Sequence, residues 1–144
     1  MLVDLNSRRV ERFLTGGRPK LLRLAVVSTM GIPAPHLSSV WYLWKDGFFW
    51  ITTSGDRLKV AAIRKNKRVA LIVDTDIAPY EGVIVEGEAT LTKKKVREIT
   101  LAITKKYVAP EEVKKEFDDL MRYPRVLIRI KPVKAFDIMS YKVI

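Results

Sequence analysis

The stretch ITTSGDRLKV, Ile51 to Val60, gathers three hydroxyls, a glycine and two cations. Thr52, Thr53 and Ser54 close a β-rich run, Gly55 permits a turn, and Arg57 and Lys59 stand at the mouth of a short helix. A helix N-terminus presents unpaired N–H groups and partial positive charge, so it accepts phosphate readily. Arginine adds a bidentate grip on phosphate oxygens, and lysine adds a point charge. The chemistry this pattern predicts is anion binding. A capped surface helix with solvated basic residues is the plain alternative, because basic helices are common.

The preceding run, HLSSVWYLW (His36 to Trp44), places Ser38 and Ser39 mid-strand, ahead of Val40 and Trp41. Packing would favour apolar residues on at least one face there. Small polar side chains let a flat ligand lie along the strand, with backbone groups reading its edge. A half-exposed strand is the alternative. The intervening KDG is an Asp-Gly hairpin signal, which predicts that His36–Trp44 and Phe48–Ser54 lie side by side. A flat polar ring beside a phosphate describes flavin mononucleotide (FMN).

Composition sets the limits on these readings. A chain of 144 residues can bury a real core, and one domain spanning 1–144 is expected. At 48% hydrophobic and 30% charged residues, the balance is that of a soluble globular protein. No apolar run approaches the roughly 18–20 residues of a membrane span. The charged first residues, MLVDLNSRRVERFLTGG, lack a signal-peptide core, so a cytoplasmic location is expected. Cysteine is absent, which excludes disulfides, thiolate metal sites and cysteine nucleophiles. One histidine, His36, is too little for a zinc site or a Ser-His-Asp triad. The net charge of +11 favours anionic partners: phosphate cofactors, nucleic acid or acidic lipid.

The elements that must position these residues follow from periodicity. Asp4–Leu14 reads as a short helix stopped by TGG, and Leu21–Met30 as a strand ended by the turn GIP. Asp56 is expected to cap a helix from about Arg57 to Lys65. Arg68–Asp74 and Gly82–Thr92 read as strands. Val96, Ile99, Ile103 and Tyr107 mark an amphipathic helix capped by Thr92. Pro110 opens a further helix with Val113, Phe117 and Leu120 facing inward. The final strand, RVLIRIKPVKAFDI, is expected to be interrupted at Pro132. Six or so mostly antiparallel strands with three to four peripheral helices suggest a closed or nearly closed barrel.

The ordered set from LAVVSTMGIPAP through SSVWYLWKDGFFWITTSGDRLKV to NKRVALIVD, then YEGVIVEGEATL, resembles the pyridoxamine 5′-phosphate oxidase-like, FMN-binding split-barrel family. The likeness covers about Leu22 to Ala89, with a weaker return at VLIRIKPVKAF. It implies a mainly β fold, a six-stranded antiparallel split barrel with flanking helices, forming a homodimer with flavin at the subunit interface. It further implies that Ser38, Ser39, Val40 and Trp41 run beside the isoalloxazine. Thr52, Thr53, Ser54, Arg57 and Lys59 would hold the ribityl chain and phosphate.

Departures from the family pattern narrow the activity. Gly82 stands near the place where the oxidase often carries a glutamine contributed by the partner subunit. The tail reads AFDIMSY where many relatives have a tryptophan-aspartate pair, and an arginine and histidine for pyridoxal phosphate are not evident. Both features argue against vitamin B6 oxidation. The expected function is an FMN-dependent oxidoreductase acting on a small-molecule redox substrate, with NAD(P)H or another hydride donor. No obligatory acid or base can be named; Tyr42, Tyr80 and Tyr107 are candidates whose plain reading is packing.

Relatives that use F420 or heme supply alternatives. The basic run Arg64–Arg68 could reach the longer anionic tail of F420, against a plain reading as a solvated helix end. His36 reads as a polar strand-start residue before it reads as a heme ligand. A flavin carrier or sensor without turnover is the second class. A nucleic-acid-binding barrel is the third, suggested by charge and by Trp41, Tyr42, Trp44, Phe48, Phe49 and Trp50. Adjacent aromatics divide between the two faces of a strand, which places several in the core and disfavours nucleic acid.

Overall fold

The computed structural model describes residues 2–27 and 34–138. The expected turn at Gly31–Pro33 and the end of AFDIMSY lie outside them. Among the described residues the element order is α1 (Arg8–Thr15), β1 (Leu22–Val26), β2 (His36–Val40), β3 (Leu43–Lys45), β4 (Phe48–Ser54), α2 (Leu58–Lys65), β5 (Arg68–Asp74), β6 (Gly82–Thr92), α3 (Val96–Tyr107), α4 (Val113–Met121) and β7 (Arg125–Asp137). The strands form one antiparallel sheet in the order β2-β1-β5-β6-β7-β4-β3, curled into a half-barrel.

The count is seven strands where six were expected. The run His36–Trp44 divides at Trp41–Tyr42: β2 pairs with β1 at one edge of the sheet, and β3 pairs with β4 at the other. The same dipeptide therefore spans the split between the two edges. The Asp46-Gly47 hairpin forms as expected, with φ of 56° and 80°, the positive pair that a type I′ turn requires. It aligns only Leu43–Lys45 with Phe48–Trp50. Ser38 and Ser39 are thus not hydrogen-bonded neighbours of Thr52–Ser54, contrary to the expectation from the hairpin.

Alternation of side chains builds the core. Leu22, Leu24 and Val26 of β1, Leu71 and Val73 of β5, Val85 of β6, Phe49 and Ile51 of β4, and Ile128 and Ile130 of β7 fill the concave side. On the other side of β4 and β7, Leu127 lies with Ile99 and Ile103 of α3, flanked by Trp41, Leu43 and Trp50. Pro132 does not end the last strand. Its register shifts opposite Glu86 and Gly87, where a bulge accommodates the missing N–H. Gly87 makes this approach feasible: a Cβ there would lie 2.6 Å from the Lys131 carbonyl oxygen.

Helix starts differ from expectation in each case for a local reason. Asp4 accepts from the Asn6 amide in a turn of its own, and Ser7 caps α1 through the Val10 amide. Arg57, without a side-chain cap bond, occupies the N-cap of α2, so Asp56 lies outside the helix. Thr92 accepts from the Lys94 amide, and α3 begins after Lys95 in the left-handed region. A 3-10 turn, Pro110–Glu112, precedes α4. None of α4's residues is fully buried, and the helix rests chiefly on α3.

Candidate functional site

The end of β4 and the start of α2 sit against the start of β7. Ser54 is the register partner of Arg125, and the Gly55 amide donates to the Pro124 carbonyl at 3.2 Å. The Arg57 amide donates to the Ser54 carbonyl at 3.3 Å, closing the turn into α2. Arg57, Lys59 and Arg125 converge at this corner. Partial burial first, then the Arg57 and Arg125 charges, hold the Lys59 amine below its ordinary pKa. Arg125 is lowered by burial and then by Arg57. None of the three forms a salt bridge among the described residues. Clustered cations without a carboxylate repel one another and are stabilised by an anion.

The three hydroxyls divide. Thr52 Oγ1 lies 2.7 Å from Thr100 Oγ1 of α3 and accepts from Arg125 Nε at 3.0 Å. Ser54 shares that side of the strand and is half-buried. Thr53 alternates to the other side and points into the core at 6% exposure. Arg125 escaped the sequence reading because its partners lie across the sheet and not nearby in the chain. The one local signal was an arginine directly after Pro124.

On β2, Ser38 and Val40 face the concave side opposite Leu24 and Leu22, whereas Ser39 faces outward opposite Arg23. Ser38 Oγ is buried and has no hydrogen-bond partner among the described residues, a costly arrangement unless something else supplies one. Among the described residues β2 is an edge strand, with no strand paired on its outer side. Val40 packs on the core, and the Trp41 ring stacks on Tyr107 with centroids 4.9 Å apart and planes within 2°. The Trp41 side chain is therefore already engaged.

Helix α3 joins both regions. Thr100 meets Thr52, and seven residues further on Tyr107 meets Trp41, roughly 10 Å along the axis. At the strand break, the Tyr42 amide donates to Tyr107 Oη at 3.3 Å, and the Tyr42 carbonyl accepts from Lys106 Nζ at 2.9 Å. Tyr107 Oη in turn donates to the Lys20 carbonyl, and Tyr42 Oη to that of Leu14 at 2.6 Å. Burial pushes Lys106 down to about 7, helped by Lys20. It pushes Tyr107 up to about 12 and raises Tyr42 further. Both tyrosines thus serve packing and bracing; Tyr80 is exposed.

The other sequence features find plain places. A Cβ on Gly82 would lie 2.7 Å from Asp74 Cβ and from the Val73 carbonyl, so this position has no room for a longer side chain. His36 is half-exposed at the start of β2, and no metal-binding cluster occurs among the described residues. Tyr42, Trp44 and Phe49 are core, Trp41 and Trp50 pack beside α3, and Phe48 lies under Arg129. They do not form one exposed stacking face. No helix among the described residues is long and apolar enough to cross a membrane.

The cation corner fits a phosphate, and the unpartnered Ser38 hydroxyl on β2 is a separate polar feature. The profile described as pyridoxamine 5′-phosphate oxidase matches residues 8–139, and the chain belongs to this family. A conserved hypothetical protein from Mycobacterium tuberculosis superposes with a TM-score of 0.73 at 22% identity, covering 94% of this chain and 85% of the other. An F420 reductase gives 0.60 at 21% identity, covering 87% and 94%. An FAD-binding protein from Mesorhizobium loti gives 0.62 at 19% identity, covering 95% of each. These likenesses establish the split-barrel fold. No match was found among curated proteins.

Proposed function

We propose that the protein binds FMN and is an FMN-dependent oxidoreductase working as a homodimer. The observation that carries this reading is the corner where Arg57 and Lys59 converge without a carboxylate partner. Arg57 and Lys59 would hold the phosphate, with the Ser54 hydroxyl beside them. The free edge of β2 would read the ring through backbone groups, and Ser38 Oγ would gain the partner it lacks. Bound there, the flavin supplies two-electron transfer between a donor such as NAD(P)H and an acceptor. The chain's own contribution is to orient the cofactor and to favour added negative charge on it.

The dimer reading draws support from the convex face. Ala25, Ala70, Ile72 and Ile84 occupy it, and Leu37 and Val133 at its edges are 68% and 60% exposed. A groove of about 990 Å³ lies at one end of this face, where Ala25, Ala70 and Val133 are accompanied by Arg68, Glu86, Glu88 and Lys134. A second copy of this chain would cover it.

The absorbance spectrum of the purified protein, with FMN added if it is colourless, tests the reading. A flavin double band that disappears in the Arg57→Ala, Lys59→Ala double variant is expected; failure to bind FMN at low salt would sink the proposal. Reduction by saturating NAD(P)H distinguishes an enzyme from a carrier or sensor. F420 is the second reading, favoured by the exposed Arg64, Lys65 and Arg68 beyond the corner and by the F420 reductase of like fold. Titration with F420 in place of FMN decides between them.

A further inference from the structure

Arg125 is braced from two sides. Its Nε donates to Thr52 Oγ1 at 3.0 Å, and its Nη1 donates to the Leu120 carbonyl in the last turn of α4 at 3.3 Å. Thr52 is itself held by Thr100, so both helices between β6 and β7 contribute to fixing one guanidinium. The second terminal nitrogen, Nη2, has no hydrogen bond among the described residues. The register places this residue opposite Ser54, at the mouth of α2 beside Arg57 and Lys59. A half-buried arginine in direct repulsion with two other cations is a costly arrangement if its only task is to tie α4 to the sheet. A neutral donor would serve that purpose at lower electrostatic cost.

We infer that Arg125 is a third phosphate-binding residue, aimed by Thr52 and the end of α4, and that the corner selects a terminal phosphate monoester. The inference rests on the FMN reading of the same site. Three cations match the two charges of a monoester near neutral pH better than the single charge that each phosphate carries inside a diester or dinucleotide. A guanidinium with one free fork nitrogen also requires an oxygen that no further substituent shields. FMN presents such a group; riboflavin has no phosphate, and in FAD the same phosphorus is bridged onward.

The test is titration of wild type, Arg125→Gln and Arg125→Lys with FMN, riboflavin and FAD, followed by flavin fluorescence. Wild type is expected to prefer FMN over both. Arg125→Gln should weaken FMN at least about tenfold, as expected for loss of a charge-assisted bond, while riboflavin affinity changes by less than about twofold. The FMN-over-FAD preference should shrink with it. Arg125→Lys keeps the charge but loses the fork, and should show a smaller fall in the FMN-to-riboflavin ratio; it also serves if the glutamine variant does not fold. An unchanged ratio, or equal weakening of FMN and riboflavin, would make Arg125 a brace for α4 and overturn the inference. In that case FMN binding that still depends on Arg57 leaves the broader reading standing. Wild type that binds no FMN removes both.

Discussion

The hydroxyls of Thr52 and Thr100 meet at 2.7 Å between a central residue of β4 and the middle of α3. Thr104 Oγ1 donates a hydrogen bond to the Thr100 carbonyl one turn earlier. A polar ladder thus runs under a helix whose remaining sheet-facing residues are apolar. Thr100→Val keeps the volume and removes the hydroxyl. It should lower stability by about 1–2 kcal/mol, the cost of leaving a buried polar group short of a partner. The urea midpoint measures this, and an unchanged midpoint would mean that the pair contributes nothing net.

Salt should act on cofactor affinity. Arg57 is exposed and Lys59 half-exposed, so their attraction for a phosphate is partly screened. FMN binding should weaken steadily as sodium chloride rises, whereas riboflavin binding should not. Fluorescence titration at several salt concentrations reads the difference.

Lys106 predicts the sign of a pH effect. Its pKa is lowered from 10.5 to about 7 in the folded chain, by burial and then by Lys20. Its other titratable contacts are Tyr42 and Tyr107, neutral throughout this range. Between these two values the unfolded chain binds the proton and the folded chain does not, so stability rises with pH across that window. Below about 7 both states are protonated and the penalty is complete. Lys106→Met should flatten the slope of denaturation midpoint against pH between 7 and 10.

Backbone geometry makes Gly87 a sensitive position. Gly87→Ala would press a methyl against the Lys131 carbonyl and the Ile130 side chain at the bulge. The expected loss is about 1–3 kcal/mol, as for other overpacked sites. Thermal unfolding would show it, and a tolerated alanine would mean that β7 shifts easily there.

The convex face gives a test of assembly. Ala70→Arg places a long cationic side chain at the centre of the convex face, between Ala25 and Glu86. If a second copy covers this face, the variant should run as a monomer in sedimentation and bind FMN more weakly. A dimer that survives the charge would place the interface elsewhere.

Much of the architecture was legible because alternation is a local property: the strands of β4, β5 and β6 stand within a residue of their expected limits. The break at Trp41–Tyr42 was not legible. Its cause is that Lys106 and Tyr107, more than sixty residues away, supply the Tyr42 backbone with partners that a ladder would otherwise provide. Arg57 and Lys59 could be found from their place after a turn. The hydroxyls could not be sorted, since only the register shows that Thr53 enters the core while Thr52 and Ser54 face α3 and Arg125. Arg125 could be found only in three dimensions.

The bond from Arg125 to Thr52 joins residues 73 apart, and β7 is the last strand of the described chain. Contacts of such separation form late, after their loop-closure entropy has been met. As the chain leaves the ribosome, β4 and α2 emerge well before the strand that completes their corner. Until β7 docks, the clustered cations have no frame. The anion-binding capacity proposed for this corner would thus depend on a strand that emerges well after the residues it assembles.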